Sequence, residues 1–440
     1  MARVFISVLG TGDYVPCSYR FNDGTVVSSV RFVQEATVSY SCMEWSDQDR
    51  ILIFTTEGSR TKNWEDSGAT DVEGNPLEGL AARLNALPLR VPFCNVMIPD
   101  GKIQEEIWEI FQALLANLME GDEVVFDITH SFRSIPMLVL VVLNYAKVVK
   151  KVTLRGIYYG ALEALGVPSE VRSMPMAKRI VPVFDLTAFD KLLDWTTAID
   201  RFIGGGDASL VSELAKQAVL PMTKPTKGAD RAAKAVKRIA MAINAFASNV
   251  SACRGRSLSG AAAKLKHSLA DGKSSSDKLI PALSPLLASI QPKLQGFVGD
   301  EVRDGVAAVH WCLEHNLIQQ GFTILQETLV SYLIHQIGEK PHLVRNRKIA
   351  TASLGIVKSK APEEDWQDEA ARDIEKTRKF VALLESRQDL RAFFIGGPFE
   401  KLKEFRNDLN HGGYTGNTHD AEEFSEVLSH TLTEVEKFLH

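Results

Sequence analysis

The chain reads as an α/β domain built on a parallel sheet, followed by an all-α region. Three observations lead there. Strand and helix signals alternate over the first 185 residues, the strand patterns end in glycine or polar loops, and strand signals nearly vanish from Leu186 onward. Val4 to Leu9 is a short buried-strand pattern ending in Gly10-Thr11-Gly12. Ile51 to Thr56, Phe93 to Ile98, Val124 to Ile128, Val152 to Tyr158 and Ile180 to Phe184 are further strands. Tyr19 to Val33 alternates around Asn22-Asp23-Gly24 and reads as a hairpin decorating the sheet. Ile103 to Met119 carries helical spacing, and Gly121-Asp122 stops it. The next helix starts near Ser134, with Pro136 in the first turn, where its missing N–H costs nothing.

The rest is helical. Phe189 to Phe202 and Ser209 to Val219 are helices separated by three glycines, and Ala229 to Val250 is Ala-rich and amphipathic. Gly272 to Asp277 reads as a surface loop, Leu279 to Phe297 as a helix, and Val302 to Ile337 as two helices. Asp368 to Leu384, Phe399 to Leu409 and Ala421 to Leu439 follow. For 440 residues, roughly 150 per domain gives two or three domains. The expected division is 1–185, a helical linker region with a basic segment over 186–300, and 301–440.

Composition excludes several classes. Apolar residues at 45% and charged residues at 24% rule out a mostly disordered, collagen-like or coiled-coil chain. The longest apolar run, Ile135 to Leu143, spans nine residues, whereas a bilayer needs about 20. The N-terminus enters a strand pattern without a cleavage-site signature, and the five cysteines form no CxxC pair. The expectation is a cytoplasmic protein with reduced thiols, no metal site and no membrane contact. A net charge of −5 does not predict nucleic-acid binding in bulk, but Lys216 to Lys266 holds eleven Lys/Arg and one acid. That segment either follows phosphates or is a solvated helical face.

Three stretches carry candidate chemistry. Gly10-Thr11-Gly12-Asp13-Tyr14 follows the first strand, where ligands of a doubly wound sheet bind. Val15 stands where a dinucleotide fingerprint needs its third glycine, so a nicotinamide site is rejected, and a plain tight turn fits the residues alone better than a site. Asp127-Ile128-Thr129-His130-Ser131-Phe132-Arg133 lies between a strand and the proline-started helix. A helix N-terminus with hydroxyls from Thr129 and Ser131 and the Arg133 fork suits phosphate; the alternative is a local cap with a packed histidine.

The third stretch is Arg406-Asn407-Asp408-Leu409-Asn410-His411, before Gly412-Gly413. The R-x4-H spacing alone carries little weight in a chain with 10 histidines. On an unbroken helix the two residues stand about 140° apart. Gly412-Gly413 should end the helix near Asn410, leaving His411 in the turn, free to swing toward Arg406. Arginine plus histidine suits metal-independent RNA cleavage. His411 can take a ribose 2′-OH proton, Arg406 can stabilise the phosphorane, and Asn407 can orient either. The alternative is a helix cap in which both residues bind terminal carbonyls. Elsewhere, Trp311, Leu317, Ile324 and Leu325 are expected in the core. Glu327 is either paired in the core or solvent-facing, and His419, His430 and His440 are expected on the surface.

In this order the pieces resemble the CARF–HEPN ribonucleases that accompany type III CRISPR systems. The resemblance rests on Ile6 to Tyr14, on Asp127 to Ser134 with Tyr158 to Glu163 downstream, and on Arg406-Asn407 to His411. Phe184 to Thr187 with Trp195, and Trp311 with Glu327, look like the family's domain transition and the helix pair before its catalytic motif. The resemblance implies a Rossmann-like CARF sensor of cyclic oligoadenylate, then a helical linker and a HEPN nuclease. Gly10, Thr11, Gly12, Thr129, His130, Ser131 and Arg133 would contact the ring, although Ser131 stands where many relatives have glycine. Arg406, Asn407 and His411 would cut single-stranded RNA as a composite site of a homodimer or higher oligomer. The products would be 2′,3′-cyclic phosphate and 5′-hydroxyl ends, with no metal or cofactor beyond the activating ring. Cyclic tetra-adenylate is favoured over hexa-adenylate as activator, and slow cleavage of the ring by the sensor stays open. The alternative is a nucleotide-sensing regulator that binds nucleic acid or a partner without cutting.

Overall fold

The computed structural model describes residues 2–68, 70, 76–129, 134–223, 230–276 and 282–439, with the backbone alone over 134–136, 220–223 and 273–276. The chain forms two compact units, 1–191 and 192–440. The first contains β1 (Arg3–Leu9), β2 (Cys17–Arg20), β3 (Val26–Val30), α1 (Val33–Ser41), β4 (Arg50–Thr55), α2 (Leu80–Asn85), β5 (Phe93–Met97), α3 (Gln104–Ala116), β6 (Glu123–Asp127), α4 (Ser134–Val149), β7 (Thr153–Gly160) and β8 (Ile180–Asp185).

One sheet runs β3-β2-β8-β7-β6-β1-β4-β5. The five strands β5-β4-β1-β6-β7 are parallel. Read in chain order they follow 3-2-1-4-5, so the direction of winding reverses between β1 and β6. Alternation along β1 fills both faces. Val4, Ile6 and Val8 pack with Leu52, Phe54, Ile110 and Val139, while Phe5 and Leu9 pack with Ile51, Ile53, Phe32 and Leu84. Each phenylalanine buried there contributes about 1.5–3 kcal/mol.

Three expectations need correction in this unit. The hairpin does not merely decorate the sheet: β2 pairs in parallel with β8 and makes β3 an edge strand. The sixth strand, β8, runs antiparallel to β7. Strand character also stops at Val30, because Glu35 caps a helix by accepting from the N–H groups of Arg31 (2.9 Å) and Phe32 (2.8 Å).

The start of β1 is fixed by charge. Arg3 donates to Asp49 from its backbone and its guanidinium, both at 2.7 Å, and the Ser46 N–H adds a bond at 2.9 Å. Burial opposes ionisation of Asp49, but these donors outweigh it and hold its carboxyl well below the usual range. A depressed carboxyl stabilises the folded chain above its unfolded pKa of 3.8 and loses that contribution as pH falls through the folded value. The unit is therefore expected to loosen below about pH 4, and Asp49→Asn to cost about 1.5–3 kcal/mol at neutral pH while flattening the acid dependence. Hydrogen exchange of β1 amides against pH checks this. Superimposable profiles for the two chains would refute it.

The second unit is helical: the remainder of α5 (Thr187–Gly205), then α6 (Ser209–Thr223), α7 (Arg231–Ser251), α8 (Gly255–Ser276), α9 (Glu301–Glu314), α10 (Ile318–Gln336), α11 (Val344–Ser359), α12 (Ile374–Ser386), α13 (Pro398–Asn410) and α14 (Glu423–Leu439). Phe246, Trp311, Phe322, Leu325, Phe394 and Phe405 belong to one core that runs through the unit. The expected core residues Trp311, Ile324 and Leu325 are buried, and Leu317 packs against them half-buried. Gly272 to Ser276 is not a loop but the last turn of α8, and Asp277 lies outside the described residues. The helix expected over Leu279 to Phe297 is broken: Leu283–Ala288 is helical and Gln291–Leu294 is a 3-10 turn. Glu327 is exposed and pairs with Arg347 at 2.6 Å.

Candidate functional site

The carboxyl ends of β1 and β6 lie side by side, since Ser7 is paired with Asp127. Loops leaving them bound the crevice where a doubly wound sheet takes ligands. Gly10, Thr11 and Gly12 form the loop after β1. It is held from the segment after β4: Asn63 donates to the carbonyls of Gly10 (2.8 Å) and Gly12 (3.0 Å), and Lys62 to that of Thr11 (2.9 Å). Lys62 also pairs with Asp13 at 2.8 Å, and Arg172 reaches the other oxygen of that carboxylate at 3.4 Å. The Gly10 N–H donates to the Tyr14 hydroxyl at 3.0 Å. Burial pushes the Tyr14 phenol up, so it stays neutral. The sequence reading missed Lys62 and Asn63. Their signal is a polar run directly after a buried strand.

Behind this loop Asp127 is buried. Its carboxylate accepts from Ser7 (3.1 Å) and Thr37 (3.3 Å), and from the N–H (3.0 Å) and hydroxyl (2.6 Å) of Thr129. Burial pushes its pKa up, and these donors oppose the shift. Thr129 was expected to offer a hydroxyl proton to a ligand. Instead that proton is committed to Asp127, and the oxygen accepts from the Gly160 N–H at 2.9 Å. Thr129 thus ties β6 to β7. His130, Ser131 and Arg133 lie outside the described residues.

In the second unit α13 ends at Asn410, as the two glycines require. His411 caps it with φ −98°, and Gly412 and Gly413 follow in the left-handed region at 61° and 80°. His411 N–H donates to Asn407 O (3.1 Å), Gly412 N–H to Leu409 O (3.3 Å), Gly413 N–H to Asp408 O (3.2 Å) and Tyr414 N–H to His411 O (3.1 Å). Arg406 is half-buried, while Asn407 and His411 are exposed. The helix end gathers all three, but no hydrogen bond joins their side chains among the described residues. The Arg406 Nε is buried without a hydrogen-bond partner. Its guanidinium acts on the Cys253 thiol, which burial pushes up and which Thr323, Arg406 and Arg254 pull down.

Asp408, which the sequence reading passed over, is 2% exposed. It accepts from the Thr415 hydroxyl (3.2 Å) and the His419 N–H (2.9 Å), folding the segment after His411 back over the helix. Its signal was available: Phe399, Leu402, Phe405 and Asp408 share the buried face of α13, so a carboxylate occupies a core position. His419 was expected on the surface. It is half-buried instead, stacked on Phe405 at 3.8 Å and lying between Glu404 (3.5 Å) and Glu423 (3.6 Å). His430 is exposed, and His440 lies outside the described residues.

Comparison with known proteins matches each unit separately. Residues 4–163 fit the family model described as the CARF domain of the CRISPR system endoribonuclease Csx1. Residues 191–296 fit the second domain of CRISPR-associated protein MJ1674. The protein of that name from Methanocaldococcus jannaschii is 36% identical over 124 residues, covering 28% of this chain and 18% of the relative. The chain thus matches less than a fifth of that relative's length. No helix among the described residues is long and apolar enough to cross a membrane. With its strand order and switch-point crevice, the first unit thus resembles the CARF domain of that family model, and the start of the second resembles the second domain of the CRISPR-associated protein MJ1674.

Proposed function

We propose that this protein is a cyclic-oligoadenylate-activated endoribonuclease that cuts single-stranded RNA without a metal, with cyclic tetra-adenylate preferred over hexa-adenylate. The observation that carries the reading is the end of α13. There a half-buried guanidinium with an uncommitted Nε and an exposed histidine share one hydrogen-bonded helix terminus, in a chain whose first unit is a CARF domain. His411 takes the proton of a ribose 2′-OH, and the 2′-oxygen attacks the adjacent phosphorus. Arg406 offsets the charge on the five-coordinate phosphate. The P–O5′ bond breaks and the 5′-oxygen gains a proton, leaving 2′,3′-cyclic phosphate and 5′-hydroxyl ends. Asn407, exposed beside Arg406, orients substrate. The ring occupies the crevice at β1 and β6, with Gly10, Thr11, Gly12, His130, Ser131 and Arg133 around it and Thr129 as its internal brace.

A homodimer is the assembly proposed. On α4, Met137, Val141, Tyr145 and Val148 are 72%, 57%, 48% and 80% exposed on one face, an apolar stripe that a second copy would cover. The deciding experiment is cleavage of a fluorescent single-stranded RNA in EDTA, with and without each ring. Cleavage that depends on a ring, and a higher ring requirement for Arg133→Ala, are expected. Tight ring binding with RNA left intact would replace this reading with a non-cleaving regulator.

A further inference from the structure

We propose that Tyr414 is a stacking platform for a nucleobase of single-stranded RNA beside the scissile phosphate; this rests on the ribonuclease reading above. Tyr414 is 94% exposed, the highest value among the large hydrophobic side chains described. A lone exposed aromatic needs no explanation, but this one is held in place. All four N–H groups from His411 to Tyr414 are bonded within the turn, the last by Tyr414 N–H to His411 O at 3.1 Å. The next residue, Thr415, is anchored to the buried Asp408 at 3.2 Å and to Asn417 O at 2.8 Å. The backbone under the ring is thus fixed on both sides, while the ring lies in solvent three residues after the proposed general base. A fixed backbone leaves only the side-chain torsions of Tyr414 to be ordered on binding. Every base offers a π-face, so such a platform orients a strand without demanding a sequence. Its position on the His411 turn places the base next to the nucleotide whose 2′-OH reacts.

The test uses the full chain carrying His411→Ala, saturated with the activating ring. RNA binding is read by fluorescence anisotropy, with the cut position first mapped using the unmodified chain. An abasic nucleotide on one side of the mapped cut is expected to weaken binding about tenfold. Adding Tyr414→Ala is expected to weaken binding of the intact RNA by a similar factor and to abolish the abasic penalty. Tyr414→Phe should restore both, because stacking does not use the hydroxyl. An abasic penalty undiminished by Tyr414→Ala overturns the platform alone. Loss of the dimer on sedimentation of Tyr414→Ala also overturns it, by placing the ring in a subunit interface. If the unmodified chain leaves RNA uncut with every ring, the ribonuclease reading falls and the platform with it.

Discussion

His411→Ala is expected to lower the RNA cleavage rate by about 10³-fold while leaving ring binding and thermal stability at the unmodified values. The size follows from the role: a positioned general base accounts for roughly 10²–10⁴ in rate. The unchanged stability follows from geometry. The imidazole is exposed, and the hydrogen bonds His411 makes in the turn are those of its backbone, which alanine keeps. Arg406→Ala should abolish cleavage as well but also lower the melting temperature, because the stem of Arg406 is half-buried. Arg406→Lys should not rescue the rate, since an ammonium lacks the planar fork that spans two phosphate oxygens. Cleavage assays beside calorimetry separate these outcomes. Native-rate cleavage by His411→Ala would falsify the assignment of the site.

Gly397→Ala carries the largest expected cost in stability. Gly397 caps α13 just before Pro398, with φ −110° and ψ −152°. A Cβ there would lie 2.0 Å from the carbonyl oxygen of Ala392 and 2.9 Å from that of Phe393. Both are backbone atoms of the preceding helix, Gln388–Phe394, and cannot rotate away as a side chain could. The corner is also clamped by Phe394 and Phe399, whose rings pack 4.8 Å apart across it. The substitution must push α13 off its seat, at a cost of about 3 kcal/mol. Because α13 carries Arg406, Asn407 and the His411 turn, cleavage should fall together with stability. Urea unfolding of the full chain measures the first effect, and a midpoint equal to that of the unmodified chain would contradict the packing argument.

The positions of most strands along the chain were legible, because buried strands of a parallel sheet are short apolar runs between loops. What escaped was settled by distant parts of the chain. The segment Val33 to Ser41 holds Val, Thr and Tyr, which favour strands, yet it forms α1 because it is buried over β1 and β6 and capped by Glu35. The direction of β8 is set by its pairing with β7 and β2, which no local pattern encodes. At the candidate nuclease site the helix end could be read from Gly412-Gly413. Asp408 could not be read as a clasp without its partners, Thr415 and His419, seven and eleven residues away. The motif after β6 did not reveal that the Thr129 hydroxyl faces inward, onto Asp127.

The incorporation of the hairpin into the sheet also sets an order of events during synthesis. β2 finds its parallel partner only in β8, Ser18 against Ile180, so the strand leaves the ribosome long before its partner exists. At roughly 5–20 residues per second, that interval is about ten to thirty seconds. Through it the hairpin has only its own turn to hold it, since an isolated two-stranded hairpin is marginal in water. The hydrogen bonds of Phe21 N–H to Thr25 O (2.9 Å) and Gly24 N–H to Phe21 O (3.0 Å) keep the turn closed. The crevice-bearing core of β1, β4, β5, β6 and β7 closes first, and the edge is added last by the strand that arrives after it.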